Sequence, residues 1–96
     1  MKTWPKRLTI TVTAEDVAHG KRGDCETCPV ALALTRRLGR SVYVSVAPTR
    51  ATIRTEGLPA THYWHPSPLV AAINEFDWDG EPIPLGNYRL TREDAR

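Results

Sequence analysis

Long apolar runs are missing from this chain. No stretch approaches the ~18 consecutive apolar residues of a membrane span. Lys2, Lys6 and Arg7 open the sequence, but the apolar residues after them alternate with threonine, which is not the pattern of a secretory signal. Cysteine is scarce, with two residues in 96. A chain of this length buries roughly 60–65% of its unfolded surface, enough to fold without disulfides or metal. Strong charge of one sign is also lacking: 13 Lys and Arg stand against 11 Asp and Glu, for a net +2. Together with recurrent Leu, Ile, Val and Trp, that balance excludes a disordered polyelectrolyte. No glycine-rich phosphate loop occurs, and Ser41, Ser45 and Ser67 lie in no nucleophile elbow.

What is present is ordinary globular composition, with 41% apolar and 25% charged residues. The length supports one domain over residues 1–96, with an ordered core at about 8–90 and frayed ends. Eight prolines and six glycines call for many turns. The charge is unevenly placed. Residues 1–40 carry eight Lys and Arg against four acids (+4), and residues 41–96 carry five Arg against seven acids (−2).

Leu8, Ile10 and Val12 alternate with threonines and predict a half-buried strand. Thr13 and Asp16 form an acidic capping box for a short helix, Ala14–His19, that stops at Gly20. Pro29 suits the first position of a second helix. Val30, Leu34 and Leu38 share one of its faces and Leu32 lies on another, so the helix should be enclosed, either between the sheet and another element or between two chains. Arg36 and Arg37 complement its C-terminal dipole, and Gly39 caps it. Residues 42–55 read as a β-hairpin, and 58–68 as a proline-rich connection holding Tyr63 and Trp64. Ser67-Pro68 begins a third helix with Leu69, Ala72, Ile73 and Phe76 on its apolar stripe. Asp77–Glu81 reads as an acidic turn. Ile83, Leu85, Tyr88 and Leu90 suggest a last strand with a bulge or bend at Gly86, followed by a frayed tail from Thr91. The order β-α-α-β-β-α-β gives a small α+β domain: a three- to four-stranded, mainly antiparallel sheet with helices on one face.

Three groups can carry chemistry. Cys25-Glu26-Thr27-Cys28-Pro29 places two thiols before a helix, a setting for redox work, although a strand does not directly precede it. The same thiols with His62 and His65 could hold zinc, but 33 residues separate the pairs and two residues separate the histidines, unlike the usual finger. Arg36, Arg37 and Arg40, with Lys21 and Arg22, form a candidate basic patch for phosphates, against the plainer reading of a solvated helix end. Asp77-Trp78-Asp79-Gly80-Glu81 departs from a calcium loop because Gly86 stands where the glutamate is needed.

The stretch Thr11-Val12-Thr13-Ala14-Glu15-Asp16-Val17, then Gly20, then Cys28-Pro29-Val30-Ala31-Leu32-Ala33-Leu34 with Arg36 or Arg37, resembles the front of small uncharacterised proteins of actinobacteria and their phages. Phe76-Asp77-x-x-Gly80, with a following proline and a final Tyr-x-Leu strand, is similar to their back half. The resemblance covers roughly residues 8–90. It implies a small cytoplasmic protein of a bacterial host, of phage or phage-like origin, and it transfers no catalytic or ligand residue.

These readings favour a non-enzymatic binding module acting on a host or phage protein, without a cofactor. Arg36, Arg37, Arg40, Tyr63, Trp64 and Trp78 are its candidate contacts. Nucleic acid on the basic front half is the alternative partner, and a zinc or thiol protein at Cys25, Cys28, His62 and His65 is the other.

Overall fold

The computed structural model describes residues 4–39 and 41–95. Its elements run β1 (Arg7–Val12), α1 (Ala14–His19), α2 (Pro29–Leu38), β2 (Tyr43–Val46), β3 (Arg50–Arg54), β4 (Thr61–Trp64), α3 (Ser67–Asp79) and β5 (Gly86–Arg92), ending in a short 3-10 turn at Glu93–Ala95. The class is α+β, as the periodicity predicts. The five strands are ordered β1-β5-β4-β3-β2, and every neighbouring pair is antiparallel.

The strand count corrects the expectation of three or four. β4 lies inside the segment read as a proline-rich connection. It has only four residues and is framed by Pro59 and Pro66, so no period-two run stands out. It nevertheless occupies the middle of the sheet, where Tyr63 pairs with Ala51 on one side and Arg92 on the other.

One face of every strand feeds a single core. Leu8, Ile10 and Val12 of β1, Val44 and Val46 of β2, Ala51 and Ile53 of β3, Tyr63 of β4 and Leu90 of β5 are all buried with residues of α2 and α3. Helix α2 packs against both β1 and β2, the two edge strands, so the sheet curls around it. Val30, Ala31, Ala33 and Leu34 are buried while Leu32 and Leu38 are partly covered. The helix is thus enclosed along its main stripe and only half covered behind it.

The caps explain where the helices begin and end. Thr13 and Asp16 make the expected reciprocal box: the Asp16 N–H donates to the Thr13 hydroxyl, and the Thr13 N–H donates to the Asp16 carboxylate at 2.9 Å. Gly20 is required by space, since a Cβ there would lie 2.4 Å from Cδ of Pro29. That close approach seats α1 against the start of α2.

Helix α3 differs from expectation at both ends. Pro66 holds the N-cap position, so Ser67 is already helical and offers no cap bond. The helix continues to Asp79, which absorbs most of the acidic stretch expected to be a turn. Carboxylates at a helix C-terminus oppose the dipole. Arg22 answers this by donating from Nε to the Asp77 carbonyl at 2.8 Å and from Nη2 to the Trp78 carbonyl at 2.6 Å. Gly80 then closes the helix in the left-handed region, at φ 72°. The last strand starts at Gly86 rather than Ile83. Thr91 and Arg92 belong to it, because the Arg92 N–H donates to the Lys6 carbonyl at 2.7 Å, so the expected fraying from Thr91 does not occur there.

Leu34 has no exposed surface and sits where α2 meets the sheet. Leu34→Ala should cost about 2–5 kcal/mol, measured by denaturant unfolding, because both transfer energy and a residual cavity act at an enclosed site. A variant as stable as the parent would contradict the enclosed helix.

Candidate functional site

The sequence-derived basic cluster does not survive as a free patch. Arg36 grips Asp16 with Nη1 on Oδ1 at 2.6 Å and Nη2 on Oδ2 at 2.9 Å, and Nη2 also donates to the Thr11 carbonyl at 2.6 Å. Asp16 is buried, which raises its pKa. The Arg36 guanidinium and the Thr13 donors outweigh that and hold the carboxyl below its usual value. Arg22 is spent on α3. Arg37 and Lys21 remain exposed, and Arg40 lies outside the described residues.

The candidate aromatics separate too. Tyr63 is a core residue with no exposed surface, and its hydroxyl donates to the Pro5 carbonyl. This corrects its reading as a surface contact. Trp64, next along the strand, is half-buried on the opposite face. Trp78 is 79% exposed at the end of α3, where its carbonyl accepts from Arg22.

The zinc alternative is corrected by the same alternation. His62 and His65 are three residues apart on extended chain, so they face opposite sides of the sheet. The ring Nδ1 of His62 bonds the Thr52 hydroxyl at 2.9 Å. His65 is buried and bonds the Ala47 carbonyl through Nε2 at 3.1 Å. Among the described residues, no group of three or more Cys, His, Asp or Glu side chains is placed to hold a metal ion. Cys28 is the N-cap of α2, its sulfur accepting from the Ala31 N–H at 3.4 Å. Burial raises its thiol pKa, opposite to what a nucleophilic thiolate needs. Cys25 is exposed and free.

What the fold does assemble is the outer face of the sheet. Strand alternation sends Arg7, Thr9 and Thr11 of β1, Asn87, Arg89 and Thr91 of β5, and His62 and Trp64 of β4 away from the core. Arg50, Thr52 and Arg54 of β3 join them, with Tyr43 and Ser45 of β2. The register lays Arg7, Thr91, Trp64 and Arg50 in one row across four strands. Arg54 stands directly opposite Tyr43, which is 74% exposed. Thr11 and Asn87 are linked across strands by a 2.6 Å hydrogen bond. Arg50 reaches Glu93 at 3.4 Å. Among the described residues, Arg7, Arg54 and Arg89 form no ion pair.

A groove of about 580 Å³ opens at the end of this face, lined by Trp4, Leu58, His62, Arg92, Glu93 and Asp94 among others. Arg92 is held there by Asp94 at 2.5 Å and by the Trp4 carbonyl at 2.6 Å, so the groove wall is internally neutralised.

Charge summed over the two halves of the chain hides this face. Three of its four arginines come from the acidic half. The usable signal was local: Arg50, Arg54 and Arg89 each occupy the polar phase of an alternating run. Comparison of the chain with protein-family models, with curated proteins and with solved structures finds no match.

Two measurements test these environments. Arg36→Ala strips a buried carboxylate of its counter-charge and should cost about 2–4 kcal/mol. Arg37→Ala, one residue on and exposed, should stay within about 0.5 kcal/mol. The second concerns His65, whose pKa burial lowers from 6.5 to about 4. The unfolded chain takes up this proton first, so stability should fall as pH drops from about 6.5 to about 4 and stay level above that window. The expected loss by pH 4 is about 2–4 kcal/mol. His65→Gln should flatten this part of the pH profile in urea titrations. An unchanged slope would show that His65 is not the group responsible.

Proposed function

We propose that this protein is a non-enzymatic binding module that engages a host macromolecule through the outer face of its sheet. The observation that carries the reading is the one-sided cover of that sheet, which leaves Arg7, Arg54, Arg89 and Tyr43 exposed and Arg50 half-buried beside Glu93. The groups with shifted acidity support it. Asp16 is held by Arg36, Cys28 caps α2, and His65 bonds Ala47, so each serves the fold. The resemblance to small proteins of actinobacteria and their phages supports a phage-type accessory role in the cytoplasm of a bacterial host. No helix among the described residues is long and apolar enough to cross a membrane.

Capture from an actinobacterial lysate, with and without nuclease, tests this reading. The immobilised parent chain and a Lys21→Glu/Arg37→Glu variant should retain the same macromolecule, and an Arg50→Glu/Arg89→Glu variant should lose it. Retention by the second variant but not the first would move the site to the end of α2 and overturn the proposal.

A further inference from the structure

Building on the reading of the outer face as the binding surface, we infer that its ligand is single-stranded nucleic acid. The face carries Arg7, Arg50, Arg54 and Arg89, and the strands contribute no acid to it. Two carboxylates border it: Glu93, just past β5, pairs with Arg50, and Glu56, just past β3, lines a shallow pocket with Tyr43 and Arg54. The other five acids of the back half lie elsewhere: Glu75, Asp77 and Asp79 ride on α3, in the helical layer, Glu81 follows it, and Asp94 is held by Arg92. The fold therefore divides a chain of net charge +2 into a cationic sheet face and an acidic helix end.

A polyanion fits this surface better than a protein does. Protein interfaces centre on a desolvated apolar core depleted of charge. Between the arginines stand Thr9, Thr11, Thr52, Asn87 and Thr91, short polar side chains rather than aliphatic anchors. Of the exposed large apolar residues, Leu58, Leu85 and Trp78 fall outside the strands, and Tyr43 alone lies on the face.

The aromatic groups select single strands. Unpaired bases offer a ring face that stacks on Tyr, Trp, His or Arg planes, and an open sheet presents such groups side by side. Tyr43 beside Arg54, and Trp64 beside Arg50, place a ring next to a guanidinium at two points of the sheet. From strand spacing and rise, those two points lie roughly 17 Å apart. A duplex is a poor fit. Its major groove, about 12 Å wide, admits a helix or a two-stranded ribbon, whereas five strands span roughly 19 Å.

The probes are fluorescein-labelled 12-nucleotide oligo(dT) and oligo(rU), with a 12-base-pair mixed-sequence duplex for comparison, read by anisotropy. Four phosphate contacts give a log–log salt slope of about −2.8 for a single strand, so affinity should fall about 50-fold between 50 and 200 mM salt. Arg50→Ala/Arg89→Ala should reduce the slope to about −1.4, a fall of about 7-fold. Tyr43→Ala should weaken binding at least about 5-fold at an unchanged slope, because it removes stacking and no charge. Lys21→Ala/Arg37→Ala should change neither quantity by as much as these. Arg54→Ala alone, at an exposed position at the end of β3, serves if the double variant does not fold. The inference is overturned if neither oligonucleotide binds at 50 mM salt, if the duplex binds as tightly as the single strands, or if the Lys21/Arg37 variant alone loses binding. A nuclease-resistant, protease-sensitive partner lost with Arg50→Glu/Arg89→Glu would overturn this inference while leaving the outer-face reading standing. Loss of both would remove the face itself.

Discussion

Each strand of this sheet packs alternate residues against one helical layer and leaves the others in water. That one-sided cover organises the rest of the molecule. It needs all three helices on the same side, and it needs the sheet to curl so that α2 touches both edge strands. In return it turns a period-two pattern into two chemically distinct surfaces. The inner one is Val, Ile, Leu, Ala and Tyr63, and the outer one is Arg, Thr, Asn and exposed ring.

The helical layer is fixed to the sheet by polar bonds as well as by burial. Arg36 is the clearest case, since one guanidinium satisfies the buried Asp16 carboxylate and the last part of β1 through the Thr11 carbonyl. Asp16 in turn completes the cap of α1. Bidentate, charge-assisted bonds of this kind fix direction as well as distance. Arg22 does the same for the end of α3. Two of the five cations grouped in the sequence, Arg22 and Arg36, are thus consumed by the fold. On the strands, Arg7, Arg54 and Arg89 are turned outward beside threonine or asparagine and, among the described residues, form no ion pair.

The helices were legible because their signals are local. Thr13 with Asp16, Pro29, Gly39 and the stripe from Leu69 to Phe76 lie within a turn or two of the backbone they control, so periodicity and caps suffice. β4 was illegible because four residues between prolines give too short a run to establish a period, and its place between β3 and β5 depends on partners distant in sequence. The roles of His62, Tyr63, Trp64 and His65 were lost with it. As a loop, the segment could gather both histidines on one side. As a strand, it sends His62 and Trp64 outward and Tyr63 and His65 inward.

The sequence by itself determined the α+β class, the presence of three helices with the cap box of α1, and the inner face of β1, β2 and β3, since each depends on neighbours a few residues away. Tertiary structure alone decided the rest. It set the order β1-β5-β4-β3-β2, committed Arg22 and Arg36 to internal carbonyls and carboxylate, and brought Arg7 alongside Arg50, Arg54 and Arg89. The physical reason is that strand partners are chosen by long-range pairing, and only that pairing fixes which residues from distant segments share a face.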